Sequence, residues 1–486
     1  MFQVNWTQED GGGRPLTKGT GRPLTEPSHA LTGARSFSRV SAPDANSCAS
    51  CHNAPYGIVG GGGDFVTSVF VLGQRFDFST FDPSDTAPTR GTVDETGEPA
   101  TLQDAGNLRA TTGMFGAGYL EMLARQMTVE LQRTRDSIRH GETKELAAKG
   151  VRFGTLTLTK DGIWDTSKVE GLGRLSLISS STTNPPTLVL RPWHQASNVV
   201  SLREFTNTAF NQHHGIQSTE RFGLDTDPDG DGVKNELTRA DVTAVTIWQA
   251  TLQVPGRVIP RNPEIERAVL AGERTFDRIG CATCHIPKLP LDKQGWIFVE
   301  PNPFNPPGNL RTGEVPDLKV DLASDQLPAP RLKPDASGTV WVDAYTDFKL
   351  HNICGPAERE PLDQNAAQWS QKLMDGNCRF LTKRLWGAAN KPPFFHHGLF
   401  TTLRRSTLAH DGEALASRRA FEALSKYDQD ALIEFLKTLQ VLPPGAKDRV
   451  VDETFRARDW PPTDEGSSGS TGSSGSRVVN QVRQRH

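Results

Sequence analysis

Cys48-Ala49-Ser50-Cys51-His52 and, far downstream, Cys281-Ala282-Thr283-Cys284-His285 are two copies of one pattern, C-x-x-C-H. Two thiols at this spacing reach the two vinyl groups of one haem as thioethers, and the imidazole of the next residue then falls beneath the iron as an axial ligand. A zinc half-site would need further paired Cys or His close by, and neither copy has them. The chain is therefore expected to carry two covalent c-type haems, on Cys48, Cys51 and His52 and on Cys281, Cys284 and His285. A protein built around two such groups is expected to have one helical module per haem.

The rest of the composition fits a loop-rich chain around large cofactors. Of 486 residues only 35% are hydrophobic, against 45 Gly and 33 Pro. A net charge of −3 argues against nucleic acid or an anionic membrane as partner. No apolar run reaches the roughly 18 residues that cross a bilayer, so no membrane span is expected. The start, Met1-Phe-Gln-Val-Asn-Trp6, has no charged region leading into an apolar stretch and is not a signal peptide. Covalent haem is attached outside the bacterial cytoplasm, and the motifs outweigh the missing signal. The expected location is periplasmic or secreted. Cys354 and Cys378 are left over, either as a disulfide or as two free thiols.

Outward from the haem motifs, residues 1–40 read as an extended arm and 64–72 as a short strand. Apolar positions at helical spacing mark 117–140 (Leu120, Leu123, Met127, Leu131), 201–212, 241–252, 264–277 and 428–439. Alternation within 150–190 suggests a hairpin or small sheet, and 299–340 is Pro-rich and reads mostly as loop. Pro255-Gly256 is the expected domain join. The organisation expected is an arm (1–40), an N-terminal haem domain (41–256), a C-terminal haem domain (257–445) and a Gly/Ser-rich tail (446–486). The fold class expected is mainly α: two cytochrome c-like helical domains with long loops and small β insertions.

A second motif lies at 225–236. Asp225, Asp227, Asp229 and Asp231 occupy positions 1, 3, 5 and 7 of a twelve-residue loop, with Gly230 at 6 and Glu236 at 12. That is the pattern of a calcium loop, in which Gly makes the sharp turn and the last Glu binds through both oxygens. A bound calcium stiffening the join between the haem modules is expected; a solvated acidic turn is the bland alternative.

What fills the sixth position of each iron decides between electron transfer and catalysis. His194, His213, His214, His351, His396, His397 and His410 are the candidates among 12 histidines, and order along the chain does not choose between them.

Further stretches resemble a known group. Pro393-Phe-Phe-His396-His397-Gly398-Leu-Phe-Thr-Thr-Leu403, His410-Asp-Gly-Glu413-Ala414, Arg191-Pro-Trp193, Ser201-Leu-Arg-Glu-Phe205, Phe115-Gly-Ala-Gly-Tyr-Leu-Glu121 and Asp347-Phe-Lys-Leu-His351 occur in family order around both haem motifs. Over roughly 40–445 the chain resembles the di-haem oxidoreductases, also called thiol oxidoreductases, of the bacterial di-haem cytochrome c peroxidase superfamily. The resemblance implies that His410 is the distal ligand of the His285 haem, a low-spin electron-transfer site. It implies that the His52 haem is the catalytic one, activating peroxide or oxygen. The donor would be a small electron-donor protein or a small-molecule reductant. Ala209-Phe210 is similar to an Ala-Phe pair in rubber oxygenases, which would put Phe210 over the His52 haem. Glu121 is the acid–base candidate by position, with a helix-surface carboxylate as the alternative.

The sequence also departs from the family pattern. His397 and Leu399 stand where Asp and Arg are expected, and Gln195 replaces a Trp, leaving Trp193 as the bridge between haems. Beside the peroxidase-type reading stand a rubber-oxygenase-like dioxygenase and a non-enzymatic two-haem electron carrier, the last favoured if His213 or His214 ligates the first iron.

Overall fold

The computed structural model describes residues 1–12, 45–57, 59–63, 69–72, 106–179, 181, 183–227, 231–355, 359–360, 363 and 376–462. Asp229 of the acidic loop, much of the arm and the end of the tail lie outside them.

The helices form where apolar periodicity and capping chemistry coincide. In Ala117–Asp136, Leu120, Leu123, Met127 and Leu131 share one face and are fully buried. Ser201 caps Leu202–Ala209 by accepting the Glu204 N–H, Thr238 and Asp241 form a capping box before Arg239–Ala250, and Asn262 with Pro263 opens Pro263–Arg278. Ser425 caps Lys426–Thr438. Two of these contacts need glycine. A Cβ on Gly118 would lie 2.3 Å from the Ala250 carbonyl oxygen, and one on Gly272 would lie 2.1 Å from that of Ala431. Helix 117–136 thus meets helix 239–250, and helix 263–278 meets helix 426–438, at backbone contact.

The expectation of a mainly α fold is corrected by the strands. The described residues are 31% helix and 17% strand, with fourteen strands in six small sheets. Glu142–Ala148, Val151–Leu158 and Trp164–Asp165 make an antiparallel sheet. Pairs form between Ile297–Glu300 and Leu318–Asp321 and between Leu289–Leu291 and Val340–Val342, in and around the 299–340 stretch that reads as loop. The physical reason is backbone satisfaction. Segments that cover a core must pair their N–H and C=O groups, and here short strands do so with partners tens of residues away. Such pairing leaves no local periodicity.

The largest apolar cluster runs through both halves of the chain, from Met114 and Leu120 to Phe298, Val342, Trp386 and Val441. A smaller one, with Phe276, Phe421 and Phe435, lies between helices 263–278 and 426–438. Gly256–Val258 is the middle strand of a sheet with Leu439–Gln440 and Val450–Val451. Residues 446–462 are thus built into the fold, with Val451 fully buried and Arg458 paired to Glu266. At the other end Phe2 is buried and packs 4.5 Å from Trp248. Cys354 and Cys378 form a disulfide.

Beneath helix 202–209 lies a buried charge network. Arg203, with no exposed surface, pairs with Glu220 at 2.8 Å and Glu300 at 2.9 Å, and donates to Thr243 Oγ1. Burial and the nearby Glu121 carboxylate push Glu300 up to about 7, against the pull of Arg203 and Arg125. Removing the shared cation strands two buried carboxylates. Arg203→Met is expected to cost about 3–5 kcal/mol in chemical denaturation of the whole chain; a loss below about 1 kcal/mol, the range of an exposed pair, would contradict it.

Candidate functional site

Both C-x-x-C-H motifs sit on one tight turn. Cys48–Cys51 is a single helical turn capped by Ser47, and the His52 N–H returns to the Cys48 carbonyl at 2.9 Å. The second motif follows helix 263–278 through Gly280 in the left-handed region, and the His285 N–H returns to Cys281 O at 3.0 Å. In each, the ring is oriented by a carbonyl: Nδ1 of His52 lies 3.1 Å from Gly61 O, and Nδ1 of His285 lies 3.2 Å from Tyr345 O. That bond takes the Nδ1 proton and leaves Nε2 as the lone-pair nitrogen, the arrangement of a metal-ligating imidazole. Burial first, and neighbouring histidines second, push both rings down to about 4, so both are neutral at ordinary pH.

The two sites differ on the facing side. His410, just past helix Leu403–Leu408, puts its ring centroid 6.4 Å from that of His285, at 64°. Its Nδ1 is held by Ser406 O at 2.8 Å. Two imidazoles sharing one metal at about 2 Å bonds have centroids roughly 6 Å apart. The residues therefore fit a haem iron between them, and Phe276, Tyr345 and Phe435 supply an apolar wall. Beside His52 stand two phenyl rings, Phe2 at 5.9 Å and 58° and Phe205 at 6.5 Å and 78°. Neither side chain can ligate.

The remaining candidates are spread out. His214 is buried, with Nδ1 at 2.6 Å from Ala45 O and Nε2 at 3.5 Å from Cys48 Sγ, at the attachment edge. His213, next to it in the π turn Phe210–His214, is near enough to His52 and His194 to disfavour their charged forms. His194 holds Asn198 at 2.9 Å and lies 5.5 Å from Phe205. His396 stacks on Phe380, His397 accepts the Leu399 N–H, and His351 bridges Asp347 and Glu413.

Phe210 is buried between Trp6 and His214, while Phe2 and Phe205 are the phenyls packed near His52. Glu121 has no exposed surface. Its oxygens accept from Arg125, from Asn302 at 2.8 Å and from the Leu202 N–H at 2.6 Å, so it anchors the start of the Phe205 helix. In the acidic loop Asp225 bonds Asn235, Asp227 accepts the Asp231 and Gly232 N–H groups, and Glu236 accepts the Gln217 N–H at 2.6 Å.

A cleft reaches the surroundings of both motifs, through Phe205 near His52 and Lys383 near His285. Trp193, His194 and Phe205 line one side and Leu381, Lys383 and Arg384 the other. Arg384 sits 5.6 Å over the Trp193 ring. The roles of Phe205 and of these cations are invisible to motif reading. The signal available was Phe205 itself, closing the Ser201-Leu-Arg-Glu-Phe205 stretch, and a doublet of cations at 383–384 amid apolar residues.

Residues 322–439 match a family described as "Di-haem oxidoreductase, putative peroxidase". No curated protein matches the chain. Among solved structures it is similar to Kuenenia stuttgartiensis hydrazine synthase pressurised with 20 bar xenon. That match has 15% identity over 65% of this chain and 87% of that one, with a TM-score of 0.27. If His410 closes the second site, the oxidised haem-loaded His410→Ala variant loses one low-spin signal in electron paramagnetic resonance and gains a high-spin one; an unchanged spectrum would exclude it as a ligand.

Proposed function

Because residues 322–439 match the di-haem oxidoreductase family, we propose that this haem oxidoreductase is of peroxidase type. Electrons enter at a haem held between His285 and His410. They pass to a haem on His52, where peroxide or oxygen is reduced. One observation carries the reading: a second imidazole lies 6.4 Å from His285, while the phenyls of Phe2 and Phe205 lie 5.9 Å and 6.5 Å from His52. A haem with an unfilled position supplies the redox chemistry, and one with two imidazoles supplies outer-sphere electron transfer.

The chain's own residues do the rest. Gly61 and Tyr345 carbonyls aim the proximal rings, and burial keeps them neutral. Phe205 keeps the facing side apolar, which favours a small neutral oxidant over a competing protein ligand. Trp193, in the cleft that adjoins both sites, is the aromatic relay. Glu121 supports this reading as a positioning residue, through its bond to the Leu202 N–H. The donor is a small protein or small-molecule reductant.

A second reading, an electron carrier with both irons six-coordinate, is favoured by the closeness of His213 to His52. The oxidised, haem-loaded protein separates the two. One high-spin and one low-spin resonance are expected; two low-spin resonances that persist on partial reduction would overturn the peroxidase-type reading in favour of the carrier.

The acidic loop is proposed to take one calcium through Asp225, Asp227, Asp229, Asp231 and Glu236, with Glu236 turning from Gln217 to complete the set. The Cys354–Cys378 disulfide supports a periplasmic or secreted location. In equilibrium dialysis the chain is expected to retain one calcium, lost in Asp227→Asn/Asp231→Asn; no retention by the parent chain would remove the calcium assignment.

A further inference from the structure

Lys383 and Arg384 line the cleft, and Lys391 lies beside it at Gly113; among the described residues no carboxylate is paired with any of the three. Lys391 lays its stem along Gly62 and Gly113. A Cβ on Gly62 would sit 3.3 Å from Lys391 Cγ, and one on Gly113 would sit 2.7 Å from Cε and 2.9 Å from Nζ. The ammonium therefore rests at Gly113. Arg384 reaches the same residue from the other side, with Nη2 donating to the Gly113 carbonyl, while its buried Nε has no partner. Lys383 lines the cleft, and its backbone lies within hydrogen-bonding reach of the His285 ring.

This cluster bridges the two sites. Gly62 follows Gly61, whose carbonyl orients His52, and Lys383 backs onto His285. Among the described residues, none of the three cations forms an ion pair, although Arg109 close by is matched by Glu360. Partly buried like charges that share one glycine repel and lose hydration. Burial, then mutual repulsion, lowers Lys391 to about 7, and burial lowers Arg384 to about 10. Anions entering the cleft would offset that repulsion.

We propose that Lys383, Arg384 and Lys391 form a cationic cradle for the propionate carboxylates of the two haems, fixing the haems edge to edge across the cleft. The proposal rests on the haem reading above. Each haem brings two propionates, and attachment at Cys48–Cys51 and Cys281–Cys284 with iron at His52 and His285 leaves the cleft as the space the two sites share. Gly113 and Gly62 are then glycine because a Cβ would push Lys391 out of the cradle.

The test is spectroelectrochemical titration of the haem-loaded full chain. A nearby cation disfavours the oxidised iron, which carries one more positive charge. Lys391→Gln and Lys383→Gln are expected to lower the midpoint potential of at least one haem. Lys391→Arg should restore it, and the exposed Lys426→Gln should leave it unchanged. If Lys391→Gln does not load haem, Gly113→Ala keeps every charge, displaces the ammonium and gives the same readout. Pyridine haemochrome counting comes first: fewer than two haems in the parent chain overturns the haem reading and the cradle together. Two haems with unmoved potentials in the loaded variants overturn the cradle alone. Added formate should leave the parent spectrum unchanged; a saturable shift that Lys391→Gln abolishes would assign the cations to a free carboxylate and overturn the propionate assignment.

Discussion

Arg203 sits wholly buried between Glu220 and Glu300, and the rest of the first site depends on that placement. The guanidinium belongs to the short helix 202–209, which is too brief to be stable on propensity alone. Its N-terminus is held by Glu121 and Ser201, and Arg203 ties it to the strand ending at Glu300 and to helix 239–250. Phe205 lies two residues on, and His213 and His214 follow in the π turn. A buried charge network of this kind contributes little net stability over an apolar core of the same volume, yet it penalises any shift in the helix. Here that penalty keeps an aromatic ring at 6.5 Å from His52.

The comparison between the two sites is informative because their proximal halves are alike. Each histidine follows a tight Cys-x-x-Cys turn, each gives Nδ1 to a carbonyl, and each is held neutral by burial. The sites differ in the rings near each proximal histidine: His410 at the second, Phe2 and Phe205 at the first. On the reading proposed here, a single difference in side-chain chemistry separates a site that conducts electrons from one that can take a small oxidant. The cleft holding Trp193, Lys383 and Arg384 adjoins both through Phe205 and Lys383.

Legibility in the sequence followed the range of the interaction involved. Helices 117–136, 239–250, 263–278 and 426–438 lie within a few residues of where apolar spacing put them, because both spacing and capping are local. The strands were mostly missed, and with them the fold class, because Leu289–Leu291 pairs with Val340–Val342 across a Pro-rich stretch whose pattern says only loop. Glu121 shows the same limit at a site. A carboxylate on a helix reads as surface or as acid–base group, and only the fold shows it folded inward against Arg125 and Leu202 N–H.

By itself the sequence set out the candidates: which cysteines and histidines could hold two haems, and which acids could gather a cation. Those depend on residue type and on spacings of a few positions, which the chain cannot alter by folding. The tertiary structure decided which of the many histidines faces His285, which aromatics lie near His52, that Cys354 joins Cys378, and where Lys383, Arg384 and Lys391 meet. Those pairings join residues tens to hundreds of positions apart, and only packing of the whole chain selects among the many partners that local sequence leaves open.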